Sequence, residues 1–123
     1  MEELKNTESK QPGISFDFSN GRISIHRTTL RVIGFPEFYR FLLNLDKKML
    51  AIQKCGIDDA GAHKLPRITK KDSCEVKSKD FVKLIYHTCG WDFYTTYRIA
   101  GIGYADEETV TFDLHDAMII NEK

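Results

Sequence analysis

No stretch of this chain approaches the roughly 18 consecutive apolar residues that read as a membrane span. Met1 to Lys10, MEELKNTESK, is mostly polar and lacks the apolar core of a signal peptide. The chain is therefore expected in the cytoplasm, with no membrane partner. Cysteine is scarce and odd in number: Cys55, Cys74 and Cys89, widely spaced. That pattern argues against a disulfide framework. It predicts reduced thiols, wholly or partly buried. The formal net charge is zero and the pI is about 6.9, so no strong overall field draws in a polyanion.

Signatures of catalysis are missing too. There is no nucleophile elbow, no phosphate-cradling glycine loop and no recognisable carboxylate pair. Gly101-Ile102-Gly103 lacks the further glycine of a dinucleotide fingerprint. Asp58, Asp59 and His63, and the pair His87 and Cys89, are metal-ligand residue types without the CxxC or HExxH spacing that would make a site. The expectation is a protein that is not an enzyme, with no catalytic residue, no metal and no cofactor.

What remains is a chain of 123 residues, enough for one core and not for two. Residues 1–12 read as a disordered lead-in closed by Pro12-Gly13. Residues 13–123 read as a single domain, with unit one at 13–55, a connecting loop at 56–72 and unit two at 73–120. Ile14, Phe16 and Phe18 alternate with polar residues as a strand. Ser19-Asn20-Gly21 is a hairpin turn, and Arg22 to His26 returns with Ile23 and Ile25 on one face. Arg27 or Thr28 starts a short helix that Gly34 ends and Pro36 blocks. Phe38–Leu45 and Met49–Lys54 form a second hairpin around Asp46-Lys47-Lys48.

Unit two repeats this order. Ser73–Lys77 is a strand, and Ser78 caps a helix whose spaced residues are Phe81, Leu84, Ile85, Thr88 and Cys89. Phe93, Thr95, Tyr97 and Ile99 alternate as a strand that Gly101 and Gly103 bend or bulge. Asp106-Glu107-Glu108 turns into Thr109–Leu114, and Ala117–Ile120 is an apolar tail expected to dock on the core. Val76 answers Ile25, Phe81 and Leu84 answer Leu30 and Ile33, Tyr97-Arg98-Ile99 answers Tyr39-Arg40-Phe41, and Asp106 answers Asp46. A β-α-β-β unit cannot bury its apolar face alone, so two should interlock. The predicted fold class is α+β: two such units in a mostly antiparallel, barrel-like, pseudo-symmetric domain.

The run GRISIHRTTLRVIGF resembles the SpoVT/AbrB domain at Gly21-Arg22, Ile23, Ile25 and Gly34. His26 stands where that family usually has proline, and Pro36-Glu37 where it has Gly-Asp. The resemblance covers about residues 21–54 and returns more weakly in 73–114. It implies a swapped-hairpin barrel, made by two copies in the family and here by one chain, hence a monomer or a weak dimer. It also implies either DNA binding through basic residues near the first strand or an antitoxin-like grip on a protein.

Charge is unevenly spread. Residues 20–83 hold 14 Lys/Arg against 7 Asp/Glu, and residues 84–123 hold 2 against 7. The asymmetry marks either a basic binding face or two halves that neutralise each other. Arg22, His26, Arg27 and Arg31 crowd unit one, and Lys64, Arg67, Lys70 and Lys71 the connecting loop. Lys and Arg neutralise phosphates whatever the base sequence. These eight residues are the candidate nucleic-acid-binding set, with double-stranded DNA as partner in a cytoplasmic regulator. A protein-interaction module with no nucleic-acid binding is the rival. Aromatic residues such as Phe38, Tyr39, Phe41, Trp91, Phe93, Tyr94 and Tyr97 suit either base stacking or a core.

Overall fold

Alternating Ile, Phe and polar residues build the first hairpin in the computed structural model, which describes residues 11–66 and 73–120. β1 (Gly13–Asp17) and β2 (Arg22–Ile25) pair antiparallel, with Ile14 opposite Ile25 and Phe16 opposite Ile23. The Asp17 carboxylate holds the turn, accepting from the Ser19 N–H and the Asn20 amide. Gly21 closes it at φ +59°, where a side chain would strike Lys79.

Helix α1 (Arg27–Ile33) has His26 and not a threonine at its N-cap position, and no side chain caps it there. The Thr29 hydroxyl is engaged elsewhere: it accepts from the Gly13 N–H at 2.9 Å and donates to the Gly13 carbonyl at 2.7 Å. Gly34 ends the helix in the left-handed conformation. β3 (Phe38–Asn44) and β4 (Met49–Lys54) follow as the second hairpin. The connecting loop contains a strand that no period announced, β5 (His63–Lys64), which pairs with the start of β3. Residues 1–10 of the expected lead-in lie outside the described residues. Pro12 belongs to the fold, since its carbonyl accepts from the Gly101 N–H at 2.9 Å.

β6 (Cys74–Lys77) leads into α2 (Lys79–Cys89), then β7 (Thr96–Tyr104), β8 (Thr109–Asp113) and β9 (Met118–Ile120). Three expectations need correction here. The buried stripe of α2 is Val82, Ile85 and Tyr86, while Leu84 is exposed and Phe81 half-buried. β7 starts only at Thr96, because Asp92 organises residues 92–95 as a turn through Tyr94 N and the Thr95 hydroxyl. No bulge forms at Gly101 and Gly103, which pair in straight register with Phe112 and Val110. Their missing side chains make room instead: a Cβ at Gly101 would lie 2.6 Å from the Phe112 ring, and one at Gly103 3.0 Å from Val32 of α1.

The strands form one curled antiparallel sheet in the order β5-β3-β4-β8-β7-β1-β2-β6, with β9 beside β7. This is the expected α+β, barrel-like architecture. Its two-fold character is written in the registers. Ile23 faces Val76 and Ile25 faces Cys74, so each residue meets the counterpart of the other. Leu50 faces Phe112 and Ile52 faces Val110 in the same reciprocal way around Ala51 and Thr111. β5 takes on β3 the place that β1 takes on β7. The hairpin registers align Tyr39 with Ile99 and Phe41 with Gly101, two positions away from the match suggested by Tyr-Arg. The helix N-caps, His26 and Ser78, align Leu30 with Val82 and Ile33 with Ile85.

The concave side of the sheet is the core. Ile14, Phe16, Ile23, Ile25, Ile52, Ile99 and Phe112 are wholly buried there under Leu30, Ile33, Val82 and Ile85 from the helices. Each such side chain contributes about 1.5–3 kcal/mol by leaving water. β9 docks through its backbone and not as apolar filling: Met118 is 58% and Ile119 67% exposed.

Candidate nucleic-acid interface

Strand alternation decides which groups reach the outer face. Ile14 and Phe16 point inward, so Ser15 and Asp17 point out. Tyr97 and Ile99 do the same for Thr96 and Arg98, and Ile23 and Ile25 for Arg22 and Ser24. Registers then set two outer rows across β7, β1, β2 and β6: Arg98-Ser15-Ser24-Glu75 and Thr96-Asp17-Arg22-Lys77. The face is polar, with more cations than carboxylates.

Of the predicted basic residues, Arg22 is engaged within the face. Its guanidinium lies 3.1 Å from Asp17 and 3.6 Å from Glu75. Such part-exposed pairs contribute about 0–1 kcal/mol and leave the arginine available to a competing anion. His26 and Arg27 come together with a residue that sequence reasoning missed, Arg98. Gln11, Pro12, Gly13, His26, Arg27, Thr28, Arg98 and Ala100 line a cavity of about 380 Å3, and none of these is a carboxylate.

Each cavity group is placed by the fold. The His26 ring is fixed by Ser15, with Nε2 2.9 Å from the hydroxyl oxygen. It lies against Gly13, where a Cβ would come within 2.5 Å of Nδ1. Burial, and then the charge of Arg98, lower the His26 pKa below its ordinary 6.5. Arg27 opens α1, and its Nε is buried without a hydrogen-bond partner. Arg98 stands on the outer face of β7, in register with Ser15 of β1. Alternation with Tyr97 and Ile99 marks Arg98 as outward. That it meets His26 and Arg27 follows only from the β1–β7 pairing.

The other predicted residues are not gathered here. Arg31 is exposed in the last turn of α1, and Lys64 lies on β5 at the far end of the sheet path. Arg67, Lys70 and Lys71 fall outside the described residues. Among the described residues Lys54–Glu108, at 3.3 Å, is the one ion pair that joins the basic and acidic stretches.

The remaining candidates have local roles. Asp59 accepts from the Gly56 N–H at 2.7 Å, and the His63 ring lies beside Tyr39. No cluster of metal-ligand side chains occurs among the described residues. His87 meets Phe93 edge to face. Burial pushes the thiols of Cys55, Cys74 and Cys89 up, the reverse of what a reactive thiolate needs. Aromatic rings cover one another: Phe18 stacks on Phe93 and Trp91 on Tyr97, each at 4.3 Å. Tyr94, 94% exposed, stands apart from them in the turn before β7.

A second outer face has a different chemistry. Leu42, Ala51, Thr111 and Ile102 form one row across β3, β4, β8 and β7. Ile102 is 61% exposed, and Tyr104 extends the apolar surface. No helix among the described residues is long and apolar enough to cross a membrane. No protein-family model, curated protein or solved structure matches the chain.

Proposed function

We propose that this is a small regulatory protein that binds double-stranded DNA through the outer face of β7, β1, β2 and β6. The observation that supports it is the meeting of His26, Arg27 and Arg98 on a cavity that, among the described residues, no carboxylate lines. Arg22 and Lys77 extend the same face. Phosphate contacts of this kind give affinity and register without reading bases. The likeness to the SpoVT/AbrB domain points the same way, with two β-α-β-β units in one chain standing for the family's two copies. On this reading the protein works as a cytoplasmic monomer or weak dimer and needs no cofactor.

Mobility shift on duplex DNA across a salt series tests the proposal. Binding should be tightest at low salt and fall with a log–log slope of about −0.9 per phosphate neutralised. Arg27→Gln and Arg98→Gln should each weaken it and flatten the slope by about one contact. No binding at low salt ends this reading. The apolar row Leu42-Ala51-Thr111-Ile102 favours the second reading, a protein-interaction module. A pull-down from the native host in which Ile102→Lys abolishes capture, with DNA binding absent, would establish it.

A further inference from the structure

We infer that the cavity between the Gln11–Gly13 segment, His26–Thr28 and Arg98 is a discrete pocket for a doubly charged phosphate, a phosphomonoester. The inference deepens the nucleic-acid reading and rests on it for one source of that phosphate, the end of a strand. The other source is a free phosphate or a small phosphorylated molecule.

Three features argue for a pocket and not simply a charged patch. First, two arginines and a histidine line one space, and among the described residues no carboxylate lines it. A phosphomonoester carries about −1.5 to −2 charges near neutral pH and three strong acceptor oxygens, against the single charge of an internal phosphodiester. Second, the Arg27 Nε is buried with no partner. A buried donor left unpaired costs about 1–3 kcal/mol, and Nε is one of the donors of the planar fork that grips phosphate bidentately. Arg27 lines the cavity, so a turn of its side chain would present this donor to an anion there. Third, the space is preformed. Ser15 holds the His26 ring, and the absent side chain of Gly13 makes room for it. At about 380 Å3 the cavity exceeds many times a water molecule's share of about 30 Å3. It accommodates the phosphate together with the first carbon atoms attached to it, against Pro12 and Ala100.

Internal phosphates of a duplex are flanked by sugars on both sides, so they meet the open rows of Arg22 and Lys77 and the Arg27 and Arg98 rim of the recess without entering it. A terminal phosphate is free on three oxygens and can enter the recess. The rows and the cavity are therefore separable by experiment.

The test titrates full-length protein with inorganic phosphate, following the His26 ring signals by NMR, with chloride at equal ionic strength as reference. Saturable shifts are expected in the wild type and in Lys47→Gln, a turn lysine between β3 and β4 that is not among the cavity's lining residues. Arg27→Gln and Arg98→Gln should each weaken binding at least tenfold. Arg98 is exposed, so its variant leaves the core untouched, and far-ultraviolet circular dichroism verifies both folds. Shifts that do not saturate, or that survive both substitutions, overturn the pocket. Short oligonucleotides with and without a 5′-phosphate then separate the sources. Competition by the phosphorylated strand alone supports the pocket as an end site. Competition by a phosphorylated sugar and by neither strand supports it as a small-molecule site. Duplex binding with no phosphate saturation overturns the pocket and leaves the duplex reading standing. Phosphate saturation without duplex binding ends the duplex reading and leaves the pocket.

Discussion

Lys48 and Glu108 hold the same backbone conformation at the same corner of two hairpins: φ is +54° at Lys48 and +49° at Glu108. Each is the last loop residue before its strand, β4 or β8. Left-handed backbone costs a non-glycine residue about 1 kcal/mol. Lys48→Gly removes that strain, offset in part by the greater freedom glycine gives the unfolded chain. We expect a net gain of about 0.5 kcal/mol in urea unfolding. Glu108→Gly should gain less, because it also removes the ion pair with Lys54. Gly34→Ala and Gly90→Ala, at φ +81° and +67°, should each cost about 1 kcal/mol. A Lys48→Gly protein less stable than wild type would show that the corner conformation is not strained.

The inner face of β7 supplies the next prediction. A Cβ at Gly101 would stand 2.6 Å from the Phe112 ring and 2.8 Å from Val110, all within the core. At Gly103 the neighbour is the half-buried Val32, at 3.0 Å. Gly101→Ala should therefore cost about 2–3 kcal/mol and Gly103→Ala about 1 or less. Phe112→Leu in the Gly101→Ala background should recover part of the loss, measured as a double-mutant cycle. Equal costs at the two glycines would contradict the packing described.

Much of the fold was legible because its signals are local. Ile14/Phe16 and Ile23/Ile25 alternate, Gly34 and Gly90 stop helices, and Asp46-Lys47-Lys48 and Asp106-Glu107-Glu108 turn the chain. The misplaced parts depend on contacts distant in sequence. β5 is two exposed residues, His63 and Lys64, with no period to detect, and it exists because β3 offers a free edge. The α2 stripe shifts by one residue because Phe81, the obvious apolar choice, stacks on Phe41 at the border while Val82 takes the centre. The site follows the same division. His26 and Arg27 stood out as basic residues at the start of a helix. Arg98 joins them through strand pairing alone, from the acidic half of the chain.

Acid should weaken the fold through His26. Burial and Arg98 hold its folded pKa below 6.5. Between that lowered value and 6.5 the unfolded chain binds more protons than the native one, so stability rises with pH through this window. It is fully present above about pH 6.5 and declines as pH falls below it. The Arg98 cation reinforces the direction that burial sets. The ring is partly open to solvent, so the slope is a fraction of the roughly 1.4 kcal/mol per pH unit that one fully resolved proton gives. Urea midpoints from pH 5 to 8 for wild type and His26→Gln isolate this contribution by difference. A variant with the wild-type slope would remove His26 as its source.

Tyr86 offers a separation of hydrogen bonding from packing. The residue is wholly buried, and its hydroxyl lies 2.9 Å from the Phe16 carbonyl and 2.6 Å from that of Thr95, donating its one proton between them. It thereby links α2 to β1 and to the turn before β7. Its ring meets Trp91 and Tyr97 edge to face, at 5.2 and 5.7 Å. Tyr86→Phe keeps the ring and removes the donor, and should cost about 1–2 kcal/mol. Tyr86→Ala removes both and should cost about 3–5 kcal/mol. Burial also raises the phenol pKa well above its ordinary value near 10, and burial does the same at Tyr39, to about 12. The unfolded chain therefore loses these protons first, and stability falls as pH rises above 10. Tyr86→Phe should lessen this alkaline decline and leave the share due to Tyr39. If Tyr86→Phe matches wild type at pH 7 and declines as steeply above pH 10, the hydroxyl holds nothing, and the junction of α2, β1 and β7 rests on the rings alone.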